Sequence, residues 1–597
     1  MDKAIKPKVG CCQRPICTGI LFVCLIGGIA AVVCVTFLSP DVRGPTPPPP
    51  PAPLEWWQKT IIYQVYPRSF KDSNDDGVGD LRGVIEKLDY FRYLGVGAVW
   101  LSPFFTSPMR DFGYDVSNYT EVDAIFGNMT DFEELMTEAH ERGIKIIIDF
   151  VPNHTSNESA WFEASRRSEE PYKDFYVWNN GTLLENGTRV PPNNWKSVFE
   201  GTAWQWDEAR QAYYYHAFLA SQPDLNYRNH AVREHIKEVL KFWLQKGVDG
   251  FRIDAIPHLF EIEDQSMDEP LGATNGFDPN LHKYIKNQPE IFDVVREWRS
   301  ILDGFGGDRF LLAETVGIPQ EARMQYYEAG SVPFFFDLIP LGGKASPCTK
   351  SLASCFMETI RDGVNISSGQ WPNFVIGNHD NPRIADRMGI QYVDALNMIL
   401  LTLPGTPTTY YGEELGMHGG DYRGLPPKDP YAITSNNPDN SRDSERNPMQ
   451  WDSTLYAGFT KSHTPWLPFT SVTNMSVVNV KKENATEGSS LLLYKELASL
   501  RQNPAFMNSK IDIPDGDLNE QVLMYGRGTT RGERYLVMAF LGNATSKQLN
   551  ASSWGLQGKV VFATKLGRRD HMVKLNNVTL NQGEGLVVHL EEVELQA

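Results

Sequence analysis

GFRIDA, residues 250–255, decides the fold expected of this chain together with two similar stretches, LLAETVG (residues 311–317) and VIGNHDNPR (residues 375–383). Each stretch begins with apolar residues that favour β-structure and then carries a carboxylate. A (β/α)8 barrel keeps its functional residues at the carboxyl ends of its strands. We therefore predict that three carboxylates from distant parts of the chain meet at one end of a barrel: Asp254, Glu314 and Asp380.

Eight strand-like apolar runs follow one another along the chain, separated by amphipathic helical patterns such as residues 131–143. The runs lie at residues 61–66, 97–103, 144–151, 247–254, 309–314, 332–337, 373–380 and 399–411. Alternating strands and helices are typical of a parallel barrel. We therefore predict an α/β fold, a TIM barrel formed by residues 55–153 and 230–510.

Two segments break this alternation. Residues 154–229 are polar and aromatic and fall between the third and fourth strands, so we expect an inserted lobe that walls one side of the barrel's functional end. From residue 511 the spacing changes to short alternating runs such as ERYLVMAFLG, residues 533–542. This change predicts a C-terminal antiparallel β domain over residues 511–597.

The N-terminal region predicts a membrane anchor. Residues 16–38 carry no charge and are long enough to span a bilayer as a helix, while residues 1–15 hold four basic residues against one acidic residue. The positive-inside rule then places residues 1–15 in the cytoplasm and the body of the chain in an extracellular or lumenal space, a single-pass type II topology. A cleaved signal peptide is the alternative, although no A-x-A-like site follows the run. Proline-rich residues 39–54 predict an extended stalk.

Composition and cysteine usage fit an exported chain. The net charge of −18 and the absence of a basic stripe in the sequence argue against a nucleic-acid partner. The N-x-S/T glycosylation pattern recurs from Asn118 to Asn577. Five of the seven cysteines lie within residues 11–34, whereas Cys348 and Cys355 stand seven residues apart. In an oxidising compartment a disulfide between these two is favoured over a metal site.

The neighbours of the three carboxylates indicate their chemistry. Arg252 lies two residues before Asp254 on the same strand face, and His379 directly precedes Asp380, so each acid has a hydrogen-bond donor beside it. Hydrolysis of a glycosidic bond needs one carboxylate as nucleophile and one protonated acid to release the leaving oxygen. The third carboxylate is left to hold sugar hydroxyls. The set predicts a glycoside hydrolase.

Further motifs lie in a fixed order around these acids. They are IIYQVYPRSF (61–70), DSNDDGVGDL (72–81), DFGYDVSNY (111–119), DFVPNHTS (149–156), QPDLNYRN (222–229), LPGTPTTYYGEELGM (403–417) and RNPMQWD (446–452). With them the chain resembles the α-amylase superfamily of glycoside hydrolases, and within it the maltase and oligo-1,6-glucosidase branch, from Trp56 to the C-terminus. The resemblance implies a retaining reaction with Asp254 as nucleophile, Glu314 as general acid/base and Asp380 as transition-state stabiliser.

The same resemblance implies a set of sugar-binding residues. Those of the first subsite are His154, His379 and Arg252, and those of the pocket floor are Asp111, Tyr114 and Arg446. In this family an Asp–Arg pair closes the pocket beyond one glucose. A closed pocket trims chain ends, which predicts an exo-acting α-glucosidase, although a surface salt bridge would leave the same residues in the sequence. Ala255 after the nucleophile goes, in this branch, with substrates such as maltose-like oligosaccharides or sucrose.

The loop after the first strand has the features of a cation site. Oxygen-bearing side chains alternate along it: Asp72, Asn74, Asp76 and Asp80. Such ligands suit Ca²⁺, and the resemblance adds the backbone of Val78. Gly83 stands where an EF-hand would need a glutamate, so an EF-hand is excluded. We predict a structural calcium ion, with a metal-free acidic turn as the alternative.

The chain also resembles proteins of another class, the heavy chains of heteromeric amino-acid transporters. These are type II membrane proteins with a maltase-like ectodomain, and QPDLNYRN and PPNNW (residues 191–195) occur in both. Such heavy chains tend to lose part of the catalytic set, which is complete here, and they bind a light chain through a cysteine just outside the membrane. Cys34 is the candidate for that bond, so a transporter light chain is the alternative partner.

Overall fold

The computed structural model describes residues 53–270, 282–341, 348–367, 369–470, 474–507, 510–514, 520–528 and 532–591. Its centre is a closed barrel of eight parallel strands in which each strand pairs with its neighbours in sequence order. The strands are β1 (Ile62–Val65), β2 (Ala98–Leu101), β3 (Lys145–Phe150), β4 (Gly250–Ile253), β5 (Phe310–Ala313), β6 (Val332–Phe335), β7 (Asn373–Val375) and β8 (Thr406–Tyr410). The predicted barrel is thus confirmed, and each strand falls within one of the eight predicted runs.

The barrel strands are hydrophobic because both of their faces are buried. Every residue of β2, β4, β5 and β8 is buried. One layer of side chains fills the barrel interior, including Trp100, Ile147 and Phe334, and a larger cluster packs between the strands and the surrounding helices. This packing on both sides holds the strand ends, and therefore the residues that follow them, in fixed positions.

Helices surround the barrel and pack apolar faces against it. The longer ones are Leu81–Glu86, Leu88–Leu94, Met129–Glu141, His230–Gln245, Ile291–Gly304, Gln320–Glu328, Leu352–Ser367, Val393–Thr402 and Ser490–Leu500. Shorter ones are Trp56–Lys59, Pro67–Phe70, Ala160–Arg166, Ile384–Met388, Pro430–Thr434, Val480–Asn484 and Pro504–Met507. The helix His230–Gln245 shows the pattern, since it buries Val232, Ile236, Val239, Leu240, Trp243 and Leu244 at helical spacing.

An inserted lobe follows β3, as predicted. Its three-stranded antiparallel sheet has the order Trp178–Asn179, Ala212–Tyr215 and Trp204–Asp207, beside a small hairpin of Thr182–Leu183 and Arg189–Val190. A further short pair, Phe105–Thr106 with Asn118–Val122, lies in the loop after β2. The lobe has its own aromatic core around Trp195, Trp204 and Tyr215, which stabilises it independently of the barrel interior.

The C-terminal domain is antiparallel β, which confirms the prediction for this part of the chain. Its six-stranded sheet has the order Ile511–Asp512, Val522–Gly528, Arg534–Phe540, Gly585–Leu590, Gln557–Ala563 and Met572–Lys574. A second sheet pairs Ser546–Leu549 with Val578–Asn581. Cys348 and Cys355 form a disulfide near the start of the helix Leu352–Ser367, as the sequence predicts.

The predicted cytoplasmic tail (residues 1–15), membrane segment (residues 16–38) and nearly all of the stalk (residues 39–54) lie outside the described residues. In the part of the chain that the structure describes, no helix combines the length and the apolar character needed to cross a membrane.

Candidate active site

Backbone hydrogen bonds fix two of the three predicted carboxylates at the end of the barrel. The N–H of Asp254, one residue beyond β4, donates to the carbonyl of Phe150 at 2.9 Å. The N–H of Glu314, one residue beyond β5, donates to the carbonyl of Ile253 at 3.0 Å. Because the sheet ladder continues one residue past the strands, both acids leave the barrel at the same level. Sequence patterning predicted this convergence, and the structure brings the two side chains together.

Arg252 joins the two acids. Its guanidinium is buried and lies 2.6 Å from Oδ1 of Asp254 and 2.6 Å from Oε1 of Glu314. A third carboxylate, Asp149 on β3, lies 2.8 Å from the same guanidinium. Sequence reasoning missed Asp149, although a charged residue inside the apolar run of β3 was a usable signal. Burial raises the pKa of Asp149 to about 6, with Arg252 opposing that rise.

Asp254 lies close to Glu314 in a buried site, because both contact the same guanidinium. Burial and the neighbouring Glu314 carboxylate raise the pKa of Asp254 well above its usual range, and Arg252 acts against both effects. Asp254 therefore retains a proton at higher pH than an exposed carboxyl would. A site with one ionised and one protonated carboxyl is what general acid and nucleophilic catalysis require.

The pKa of Asp380 is shifted in the opposite direction to that of Asp254. Burial disfavours its charge, but Arg442 and Arg446 beside it favour the ionised form, and the pKa of Asp380 lies below its usual range. The carboxylate lies 2.9 Å from each of the two arginines and 3.3 Å from Nε2 of His379. Asp380 is therefore ionised throughout the neutral range. A permanently ionised acid accepts hydrogen bonds but cannot act as the proton donor.

Two histidines of the site are neutral. Burial lowers the pKa of both His379 and His154 to about 3. His379 contacts the side chain of Gln64 through Nδ1 at 2.8 Å and the hydroxyl of Tyr114 through Nε2 at 2.6 Å. His154 contacts the amide of Gln222 at 3.1 Å. Neutral imidazoles fixed in this way can exchange hydrogen bonds with a sugar hydroxyl without adding charge to the site.

The structure corrects one predicted residue of the pocket floor. Arg442, and not Arg446, is the partner of Asp111: its Nη2 lies 3.5 Å from Oδ1 of Asp111, and its side chain lines the pocket. Arg446 is fully buried behind the pocket, where it donates to the backbone carbonyl of His379. The two arginines stand four residues apart in one irregular segment, SRDSERNP. Only the path of that segment decides which of them faces the cavity.

The pocket has a volume of about 410 Å³ and lies between the barrel end, the lobe and the segment after β8. All predicted catalytic and sugar-binding residues except Arg252 and Arg446 line it. The lobe contributes Phe199, whose ring stacks on Tyr431 from the segment after β8 at a centroid distance of 5.0 Å. Ala255 lines the pocket directly after Asp254 with a left-handed backbone, φ 49°. The lobe and the last loop thus meet at the pocket rim, which the sequence did not reveal.

The loop predicted to bind calcium is a hydrogen-bonded turn. Asp72 accepts from the N–H groups of Asp75 and Gly77, each at 2.8 Å, and Asp80 caps the following helix by accepting from Gly83 at 2.7 Å. Among the described residues, no three acids, histidines or cysteines form a group that could hold a metal ion. These hydrogen bonds use part of the acceptor capacity of the two carboxylates, and calcium binding stays a prediction.

The chain is similar in sequence and in structure to known proteins. A family model for the catalytic domain of alpha amylase matches residues 64–509. Maltase A2 of Drosophila melanogaster is 42% identical over 82% of this chain and 87% of its own length. The amino acid transporter heavy chain SLC3A1 of Rattus norvegicus is 37% identical over 94% of this chain and 80% of its own length. An isomaltulose synthase from Klebsiella sp. LX3 has a crystal structure that is similar with a TM-score of 0.81, at 32% identity, over 91% of this chain and 100% of that one.

Proposed function

The chain belongs to the α-amylase family of glycoside hydrolases, and from that premise we propose that it removes terminal α-linked glucose from maltose-like oligosaccharides or sucrose. The observation that carries the proposal is the bridge from Arg252 to both Asp254 and Glu314. It holds two carboxyls side by side at one pocket, and a retaining glycosidase requires such a pair as nucleophile and general acid. The similarity to Maltase A2 supports the choice of substrate class.

The proposed reaction has two displacements. In the first, a carboxylate oxygen of Asp254 attacks the anomeric carbon while Glu314 gives its proton to the glycosidic oxygen, so that the leaving sugar departs and a β-glucosyl ester remains. In the second, Glu314 takes a proton from water, the water oxygen bonds to the anomeric carbon, and the ester bond to Asp254 breaks. The product is α-glucose, and both residues return to their starting protonation.

A carboxylate oxygen without a hydrogen-bond donor at the pocket floor supports an exo mode of action. Asp111 Oδ1 is buried and accepts no hydrogen bond from the residues that the structure describes, although Arg442 lies 3.5 Å away. A buried carboxylate oxygen without a donor is costly, and a sugar hydroxyl would supply one. Asp380 and Arg442 are joined at 2.9 Å on the same side. We infer that these groups bind the far hydroxyls of a single terminal glucose and block the path for a longer chain.

The site also requires a defined distribution of protons. One proton must lie on Glu314 when substrate is bound, since Asp254 attacks in its ionised form. Arg252 contacts both carboxyls and so holds them side by side. Ala255 places a small, apolar side chain beside the reacting bond, which we propose favours maltose-type and sucrose-type links.

The second candidate function is that of a transporter heavy chain. It is favoured by the similarity to the SLC3A1 heavy chain over 94% of this chain, a larger share than Maltase A2 covers. Together with the sequence of residues 1–54, it supports the proposal that the protein is a type II membrane glycoprotein. A light chain bound through Cys34 belongs to this alternative. Enzymatic and transporter roles are compatible, because they use different parts of the chain.

One experiment separates the two functions. Full-length wild type, Asp254→Ala and Cys34→Ser are expressed in cells and assayed with maltose, sucrose, isomaltose and 4-nitrophenyl α-glucoside, and for surface delivery of an amino-acid transporter. We expect α-glucosidase activity that Asp254→Ala abolishes and Cys34→Ser retains, with α-glucose as the first product. Inactive wild type that still delivers a transporter would overturn the enzymatic proposal. Release of β-glucose would overturn the retaining mechanism alone.

A further inference from the structure

Lys286 is a buried cation in the wall of the pocket for which the proposed mechanism has no role. The residue is 4% exposed and lines the same cavity as the three carboxylates. Its ammonium donates to the backbone carbonyl of Val316 at 3.1 Å. Val316 follows Glu314 by two residues. The ammonium therefore lies against the loop that carries the proposed acid.

The hydrogen bonds of this ammonium are incomplete. Arg252 and Arg442 both form ion pairs, whereas within the described chain no carboxylate lies at ion-pairing distance from Lys286. An ammonium has three N–H donors, and the carbonyl of Val316 uses one of them. A buried cation is costly unless its donors are used. Burial lowers the pKa of Lys286 to about 8, so the side chain is still mainly charged at neutral pH.

The backbone holds Lys286 beside the nucleophile's loop as well. The N–H of Asn287 donates to the carbonyl of Pro257 at 2.7 Å, and Pro257 lies three residues after Asp254. Asn287 has a left-handed backbone, φ 58°, and Ile285 is 1% exposed, so a tight turn and a buried anchor flank the lysine. Lys286 is thus fixed between the loops of the two reacting carboxyls by contacts on both sides.

The position of Lys286 relative to Glu314 indicates which part of a substrate it meets. Asp111, Asp380 and Arg442 form one connected group that holds the terminal glucose. A general acid must lie next to the oxygen that leaves, so the side of the pocket at Glu314 faces the leaving group. In the described part of the chain, Lys286 donates to the Glu314 loop and forms no ion pair with Asp111 or Asp380.

We propose that Lys286 binds the leaving group of the substrate by donating hydrogen bonds to its hydroxyls. It thereby selects α-glucosides whose leaving group is itself a polyol, such as a second sugar, over those with an apolar or aromatic leaving group. This inference rests on the proposed α-glucosidase function and deepens it. Removal of a charged donor to a substrate hydroxyl lowers kcat/KM only for substrates that have that hydroxyl.

The test compares two substrates that share the terminal glucose and differ in the leaving group. Lys286→Met removes the charge and the donors at similar volume. We expect kcat/KM for maltose to fall by about 10-fold to 100-fold, while kcat/KM for 4-nitrophenyl α-glucoside, whose leaving group has no hydroxyl besides the reacting oxygen, changes by less than about 3-fold. Lys286→Arg, which keeps charged donors, should lose less on maltose than Lys286→Met does.

Two controls make each outcome decisive. Lys241→Met, on the outer helix His230–Gln245, should leave both substrates unaffected. If Lys286→Met does not fold, Lys286→Arg and Lys286→Gln carry the comparison, with melting temperatures measured for each variant. Equal losses on both substrates, or no loss on maltose, would overturn the role of Lys286 while the proposed function stands. Wild type that hydrolyses neither substrate would overturn the proposed function and this inference with it.

Discussion

Arg442 Nη2 lies 3.5 Å from Asp111 Oδ1 across the closed end of the pocket, and the same atom lies 2.7 Å from Asp429 Oδ1. The guanidinium also reaches Asp380 at 2.9 Å through Nη1. One planar group thus orders three carboxylates that come from different loops. Burial raises the pKa of Asp111 to about 7, and Arg442 is the largest influence against that rise.

Replacement of Arg442 tests this arrangement. Arg442→Lys keeps the charge but offers a single ammonium in place of a planar fork, so it cannot serve three carboxylates in fixed positions. We expect kcat/KM for maltose to fall by about 100-fold or more. The matched control is Arg423→Lys, since Arg423 has a largely exposed side chain that pairs with Asp421. Equal activity of the two variants would contradict the assignment of Arg442 to the pocket floor.

The Glu314 charge beside Asp254 leads to a prediction for how kcat/KM depends on pH. Burial and the Glu314 charge both raise the pKa of Asp254, and activity requires ionised Asp254, so activity falls as the pH drops through that pKa. Glu314→Gln removes the charge, so the acid limb of kcat/KM should move to lower pH. The measurement uses 4-nitrophenyl α-glucoside, whose good leaving group needs little acid assistance.

With maltose as substrate, kcat of Glu314→Gln should fall by about 100-fold to 10,000-fold, because the poor leaving group depends on the proton from Glu314. Glu321→Gln, on the outer helix Gln320–Glu328, is the control. An acid limb that stays in place, or moves to higher pH, would contradict the electrostatic coupling of the pair.

Replacement of Ala255 is expected to change both the linkage preference and the stability of the protein. The residue has φ 49°, where a β-branched side chain costs about 1 to 2 kcal/mol. We expect Ala255→Val to lower the free energy of unfolding by about that amount in urea titrations, and to raise the isomaltose-to-maltose activity ratio by crowding the reacting bond. Ala255→Gly should stay within about 1 kcal/mol of wild type. Unchanged stability of the valine variant would contradict the left-handed conformation.

The acidic loop gives opposite expectations for its two interpretations. If the loop binds calcium, purified protein should contain one divalent ion per chain and a chelator should lower its melting temperature. If the hydrogen bonds of Asp72 and Asp80 are the whole role of these acids, metal analysis should find no bound ion and the chelator should have no effect. In that case Asp72→Asn should still destabilise the protein, because the turn loses a charged acceptor.

The sequence by itself predicted the barrel and the three carboxyls at its functional end. Buried parallel strands must be apolar along their whole length, and an acid directly after such a run has to emerge at the carboxyl end of the barrel. Asp254 and Glu314 each follow a strand by one residue, so the local sequence pattern is enough to predict their position in the tertiary structure. The lobe and the C-terminal β domain were readable for the same reason, since the period of the apolar residues changes there.

Only the tertiary structure decided which side chains complete the site. Arg442 and Lys286 lie in loops, and Tyr431 lies in the short helix Pro430–Thr434, so no extended periodic pattern in the sequence predicts which way these side chains point. Whether Arg442 or Arg446 faces the pocket depends on the path of one loop, which is set by contacts with residues far away in sequence, such as Asp111 and Asp380. The apolar composition of a buried strand predicts where it lies in the barrel. The conformation of these loops depends instead on the surfaces against which they pack.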